Sequence, residues 1–450
     1  MITSFKNILA RIDPAWRTAL GVFILARLFY FLWSLAILVI YPLAVQNTIL
    51  FGKPVLTAFD LTANRGYVYN RQVVDKVLTF RAAGKGVMDI QTGSLWDLVT
   101  GKAIAGIYAG QSFLPVDQSV EGVFPYQGES ADNTPILAVW QRFDTNWYLK
   151  IAQSGYSETD GSTAFFPLYP LSIKFFGFIL GNNLLAALLV SNAALVGALV
   201  LLYKLAAEYL EVRVVQRSLV YLMVFPTSFF FFAAYTEAPF LFLVLASLLA
   251  AKRKQWIWAA LFGSLAALTR LQGVLIFVPL TYIWWRQTGK RAWMQAIILG
   301  LIPLSTLSFL FYTRLSLIGM YQNAWNQTLV WPWMNIWAAL GRLMSGVGTL
   351  IDMLNLAVTV LFGILCVVAW YRLPREWFLY SAAMFLVPLF RMNSMQPLVS
   401  MSRYVLVLFP LFCLLGKWGQ KPWVNRLIVY AGFLAALYLS AQFFSWGWVA

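Results

Sequence analysis

The sequence predicts an all-α polytopic membrane protein. Three observations carry that expectation. The chain is 61% hydrophobic and only 11% charged, against about 25% charged in an ordinary soluble domain. Apolar runs of about 17–25 residues, long enough to cross a bilayer core, recur from end to end. Lys and Arg cluster at alternate ends of those runs, as the positive-inside rule requires.

The apolar runs predict about eleven spans: Thr18–Pro42, Leu184–Leu205, Ser218–Ala234, Ala238–Ala251, Trp256–Leu268, Val274–Trp285, Ala296–Tyr312, Leu350–Trp370, Trp377–Phe390, Tyr404–Leu415 and Leu427–Phe444. The first is too long for a cleavable signal peptide and reads as a retained span. Roughly half of the 33 basic residues fall at one set of ends, from Lys6, Arg11 and Arg17 through Lys204, Lys252 and Lys290 to Arg375 and Lys417. This places the N-terminus inside and the C-terminus outside. Four regions follow: residues 1–43 with the first span, an extracytoplasmic insertion at 44–138, an amphipathic outer-face loop at 139–181, and the multi-span domain at 182–450. The insertion contains β-prone pieces at Gly66–Tyr69 and Val87–Ile90. The run Phe165–Leu180 is short and carries Lys174, so it reads as a surface helix, with Pro167 and Pro170 disfavouring helix at its start.

The net charge of +16 is accounted for by topology markers, and no nucleic acid partner is implied. Histidine is absent, which excludes histidine acid–base catalysis, the usual zinc sites and any Ser-His-Asp triad. Proton transfer near neutral pH then falls to a carboxylate or a less common group. Cys366 and Cys413 lie in apolar runs and read as core residues. The sequence has no P-loop, no GxGxxG and no metal-spaced cysteine cluster.

The remaining ionisable residues mark the candidate site. Asp144, Trp147, Tyr148 and Ile151 fall at helical spacing and share one face, with Trp and Tyr suited to an interface. This reads equally as a plain interfacial anchor whose Asp144 faces water or pairs with Arg142. Glu237 falls at the outer end of its predicted span, where an ionisable residue is a functional candidate. Arg270 sits in a short outer turn, Thr269–Gly273. Arg391 and Arg403 flank another outer segment, followed by Tyr404. Two carboxylates and two or three arginines on one side suit transfer from a phosphate-linked donor to a hydroxyl, because the guanidinium fork matches phosphate and a carboxylate serves as base. A set of ion pairs between span ends is the structural alternative.

The stretch Phe143-Asp144-Thr145-Asn146-Trp147-Tyr148-Leu149-Lys150-Ile151-Ala152-Gln153-Ser154-Gly155-Tyr156, then Ala164–Pro170, resembles the W-D-x-x-W-Y-x-x-I-A-x-x-G-Y and A-F-F-P-L-Y-P blocks of the PIG-V-type mannosyltransferases. That family includes the enzyme that adds the second mannose in GPI-anchor synthesis, and it belongs to the GT-C class of polytopic glycosyltransferases. Phe225–Glu237, Thr269–Gly273 and Ser402–Tyr404 look like further family blocks, so the likeness runs from about Arg142 to Pro410. Phe143 stands where the family has tryptophan, and the insertion is longer than its norm. The resemblance implies a GT-C-like fold with outer-face juxtamembrane helices. It implies an inverting transfer, most often of mannose, from a polyprenyl- or dolichyl-phosphate sugar. The acceptor is a glycolipid or glycan. Asp144 is then the base, Arg403 and Arg270 meet the donor phosphate, and Glu237 contacts sugar or acceptor. Trp147, Tyr148, Tyr404 and Arg391 complete the substrate-binding set. No cofactor is required, and a divalent metal is left open. The expected setting is a bacterial plasma membrane, or the endoplasmic reticulum in a eukaryote. The rival readings are the same chemistry with another sugar or a protein or cell-wall acceptor, and a lipid or sugar transporter.

Overall fold

The computed structural model describes residues 13–50, 53–63, 65–114, 116, 132, 134–157, 160–288, 293–314, 327–393 and 396–449. Lys6, Arg11, Lys290, Arg291, Ser394 and Met395 therefore lie outside the described residues. The described chain is mostly helical and divides into two compact units. One comprises Met1–Phe29, Ile151–Leu439 and Val449–Ala450; the other comprises Tyr30–Lys150 and Ser440–Trp448.

The smaller unit holds the predicted insertion. The strands Leu43–Leu50, Lys53–Asp60 and Arg65–Asn70 form an antiparallel sheet in that order, with Leu43 opposite Asp60 and Val55 opposite Asn70. A four-stranded meander follows: Phe80–Ala83, Gly86–Asp89, Leu95–Asp97 and Lys102–Ala105. Both β-prone pieces fall on strands. Alternation puts Leu56, Phe80, Val87, Trp96 and Phe113 into one buried cluster. Trp96 and Tyr69 both stack on Phe113, at 4.4 and 4.5 Å. Asn47 joins the sheets: its amide nitrogen donates to the Phe80 carbonyl, and its oxygen accepts from the Phe80 amide, both at 2.8 Å.

In the larger unit the predicted and observed helices agree best where no proline intervenes. Thr18–Pro42 runs two residues past the helix Pro14–Ile40, while Leu184–Leu205 lies within Asn183–Ala206 and Leu350–Trp370 within Leu350–Arg372. Among the described residues five helices are long and apolar enough to cross a membrane, or six if one bent pair is counted as a span. The predicted span Ser218–Ala234 is not one helix. It stops at Val224 because Pro226 drives Phe225 into extended geometry (φ −60°, ψ 142°), and a 3-10 turn follows at Ser228–Phe231. The predicted span at Tyr404–Leu415 is bent by 85° between Met401–Val407 and Phe409–Trp418. The two prolines near Phe165 do not block helix formation: Pro167 caps the Leu168–Leu180 helix and Pro170 lies in its first turn, where a missing N–H costs nothing. The amphipathic helix Pro332–Met344 was not expected from the sequence.

One helix, Glu237–Lys252, orders the larger unit. Its 16 residues separate its ends by about 24 Å. At the Lys252 end, Lys252 pairs with Glu208, the Tyr209 hydroxyl donates to Glu376 at 3.2 Å, and Lys204 pairs with Asp13 at 3.1 Å. Glu237 stands at the opposite end.

Trp96→Ala is expected to empty the centre of the β cluster and destabilise it by about 3–5 kcal/mol, read as faster limited proteolysis within residues 43–114 of the full chain. The Asp97 carboxyl is held below its ordinary range by the Thr100 hydroxyl first and then the Thr100 amide, against a smaller burial effect. A depressed carboxylate stabilises above its unfolded pKa of about 3.9 and loses that contribution as pH falls through the folded value. The extra hydrogen exchange of the 95–105 hairpin in Thr100→Val should therefore persist at neutral pH and narrow from about pH 4 downward.

Candidate active site

The site in the larger unit is built on a kinked, non-helical segment. Pro226 ends the preceding helix, and residues 225–236 run without an α-helix until Glu237 opens the next one. Side chains of the Asn183–Ala206 helix take up carbonyls of this irregular stretch. Asn192 donates to Phe232 O at 3.0 Å and Ser191 to Tyr235 O at 2.9 Å, and the Tyr169 hydroxyl lies 2.7 Å from Ser191 Oγ. Backbone groups that a helix would have satisfied internally are thus satisfied by neighbours, which fixes where Glu237 starts.

Glu237 has no exposed surface. Its Oε1 accepts from Arg403 Nε at 2.5 Å and from an Arg270 terminal nitrogen at 2.6 Å. Its Oε2 is buried and has no hydrogen-bond partner among the described residues. Both arginines are nearly buried, with side-chain exposures of 9% and 11%. One carboxylate against two guanidiniums leaves the triad with a net positive charge. Burial of a carboxylate is tolerable only with such partners.

Each arginine is aimed by its own turn. Arg270 sits in extended geometry between the Trp256–Ala267 helix and the 3-10 turn Leu271–Ile276. Gly273 makes that turn possible, because a Cβ there would lie 2.2 Å from the Ala266 carbonyl oxygen. Arg403 lies in the short Met401–Tyr404 helix. The residues leading into it are strained, with Leu398 and Ser400 at φ 56° and 64°, a region that non-glycine residues rarely occupy. Aromatic faces complete the setting. The Arg403 guanidinium lies 4.5 Å from the Tyr235 ring centre and 5.1 Å from Phe230. Arg270 and Arg391 lie 5.6 and 5.5 Å from the Tyr404 ring centre. Glu237, Arg270, Arg403, Tyr404 and Arg391, drawn from segments up to 167 residues apart, thus form one cluster.

Residues the sequence did not single out support it. Thr227 Oγ1 donates to Ser402 O at 2.6 Å, and Asn355 Oδ1 accepts from the Ser402 amide at 3.0 Å. Asn335 bridges Arg391 and Leu398, as described below. These are uncharged residues in apolar stretches, and their only signal is a polar side chain within a hydrophobic run.

Asp144, Trp147 and Tyr148 belong to the other unit. Asp144 opens the helix Asp144–Ser154, a favourable place for negative charge beside the helix dipole, and it is half-buried. Phe143 before it is left-handed at φ 47°. Phe443, Trp446 and Trp448 surround its ring at 6.0, 5.4 and 5.1 Å and hold it there. Arg142 is 1% exposed. It donates to the Phe444, Ala138 and Gln141 carbonyls at 3.0, 2.6 and 3.1 Å, and lies over the Trp446 and Phe59 rings. Arg142 therefore clamps backbone. Tyr148 is buried, and half-buried Trp147 carries the Lys150 ammonium 5.4 Å from its ring centre.

Cys366 and Cys413 are buried and unbridged. Among the described residues no three His, Cys, Asp or Glu side chains converge as a metal site would need. No family model, curated protein or solved structure matches the chain.

Glu237→Gln should leave two buried guanidiniums without their anion and destabilise the protein by about 3–5 kcal/mol, read by thermal unfolding in nanodiscs. Arg270→Gln should cost less, because Glu237 keeps Arg403.

Proposed function

We propose that the chain is a polytopic glycosyltransferase of the GT-C type, with about eleven spans. It transfers a sugar, mannose in the first instance, from a polyprenyl- or dolichyl-phosphate donor to a hydroxyl of a glycolipid or glycan on the outer face. The observation that carries this reading is the convergence of Arg270 and Arg403 on Glu237, with Arg391 beside Tyr404. A buried, aromatic-lined, net-positive cluster suits the phosphate of a lipid-linked sugar. The resemblance of residues 143–170 to the PIG-V-type blocks supplies the reaction class. The Lys252 end of the Glu237–Lys252 helix carries basic residues and the Glu237 end carries the cluster, which supports an outer-face site under the positive-inside rule.

The roles proposed are those the resemblance implies. Asp144 takes the proton of the acceptor hydroxyl as its oxygen attacks the anomeric carbon. The bond from that carbon to the phosphate oxygen breaks with inversion, and the polyprenyl phosphate leaves with the electron pair. Arg403 and Arg270, joined by Arg391, stabilise the charge that develops on the phosphate. Trp147, Tyr148 and Tyr404 offer aromatic faces and hydroxyls to the sugar. Glu237 receives a different role from the sugar or acceptor contact first expected: with Oε1 committed to two arginines and no exposed surface, it positions them.

The test is sugar transfer by the protein in nanodiscs, with radiolabelled polyprenyl-phosphate mannose as donor and a membrane extract as acceptor. Wild type should transfer label, and Asp144→Asn, still folded, should lose at least about 100-fold. Equal transfer by both removes Asp144 from the mechanism. No transfer by wild type counts against the donor assigned here and favours the transporter reading.

A further inference from the structure

The helix Pro332–Met344 is amphipathic in an unusual sense. Asn335 and Ala339, one turn apart, are buried, with Asn335 at 0% exposure. The opposite face exposes Trp333, Met334, Trp337 and Met344, and exposed Trp331 precedes it. Trp337 is 68% exposed. Trp331 and Trp333 stack face to face at 5.1 Å, with 5° between their planes. The uncovered face is thus aromatic and thioether, and the covered face is small and polar. Water is a poor partner for such a face.

The chain itself indicates what covers it. The Leu350–Arg372 helix begins shortly after Met344 and is apolar enough to span a membrane. Its start is fixed by a capping box, in which the Thr349 hydroxyl and the Asp352 carboxylate each satisfy the other's backbone amide. Asp352 also pairs with Arg342 at 3.1 Å, which ties the end of the amphipathic helix to the head of the spanning one. If Leu350 stands at one end of a span, this tie sets the end of Pro332–Met344 at the level of the headgroups. There the indole prefers to sit.

The buried face reaches the candidate site. Asn335 Nδ2 donates to Arg391 O at 2.8 Å and Leu389 O at 3.3 Å, while its Oδ1 accepts from the Leu398 amide at 2.9 Å. One side chain therefore spans the segment between Arg391 and the strained Leu398 and Ser400 that lead to Arg403. The antiparallel pairing of Gln327–Leu329 with Arg391–Asn393 also holds the start of this segment.

We infer that Pro332–Met344 is an interfacial helix whose Trp333, Met334, Trp337 and Met344 face seats in the lipid headgroup region, and that Asn335 is a positioning residue through which this seating fixes Arg391 and the turn before Arg403. This rests on the reading of the arginines as the site that meets a lipid phosphate, but both of its tests read structure and not activity.

The first test places a nitroxide at residue 337 through Trp337→Cys, since both native cysteines are buried. In nanodiscs of phosphatidylethanolamine and phosphatidylglycerol the label should report a depth within about 10 Å of the headgroup boundary, reached by both oxygen and a water-soluble nickel chelate. Full exposure to the chelate overturns the proposal, and so does shielding from both reagents, which would place a protein on this face. The second test is residue-resolved hydrogen exchange. Asn335→Ala should speed exchange of the Leu398 amide by at least about tenfold while the Trp337 depth stays unchanged. Asn335→Leu, of similar size but without donor or acceptor, should speed it likewise, and it carries the comparison if Asn335→Ala does not fold. Unchanged Leu398 exchange in whichever of the two folds overturns the positioning role.

Discussion

The oxygen Glu237 Oε1, shared between Arg270 and Arg403, is the constraint on which the larger unit's candidate site depends. A carboxylate with no exposed surface is costly to bury unless cations neutralise it. Here the cations come from two turns far apart in sequence. Bringing them to one oxygen fixes the turn after the Trp256–Ala267 helix and the Met401–Tyr404 helix against the head of the Glu237–Lys252 helix. The irregular backbone around that point then needs its own partners, and Ser191, Asn192, Thr227, Asn335 and Asn355 supply them. The polar atoms inside this apolar unit thus serve to hold a few charged groups in place.

Part of the backbone strain falls in the same places. Phe143, Leu398 and Ser400 are non-glycine residues in left-handed geometry, and each lies within a few residues of a candidate functional side chain. Such geometry persists only where neighbours over-determine it. Three aromatic rings surround Phe143, and Asn335 binds the Leu398 amide. The cost of the strain is met by packing that has no other evident purpose.

Much of this was legible in the sequence because charge is scarce. In a chain with so few ionisable residues, Glu237, Arg270, Arg391 and Arg403 stand out within apolar runs, and the structure brings them together. The β-prone pieces of the insertion were legible from alternation. Spans broken by proline were less so: hydropathy reads through Phe225-Pro226, although the residue before a proline resists helix. The Pro332–Met344 helix escaped notice because its apolar face points outward and its buried face carries an asparagine and an alanine, which is neither a span pattern nor a charged amphipathic one. A sequence carries no burial or distance, so it could not show that Glu237 Oε1 is shared by Arg270 and Arg403. Arg142, read as a possible partner for Asp144, also clamps backbone carbonyls, which no spacing rule would indicate.

The central claim is that the arginines receive a lipid phosphate, and direct binding tests it without any acceptor. Polyprenyl phosphate and the matching unphosphorylated polyprenol would be titrated onto wild type and Arg403→Gln in nanodiscs and read by native mass spectrometry. The account expects wild type to favour the phosphate, and Arg403→Gln to lose about tenfold or more in affinity for it, the worth of one charged hydrogen bond, with polyprenol binding unchanged. Equal affinity of wild type for the two lipids, or no effect of the substitution, would contradict it.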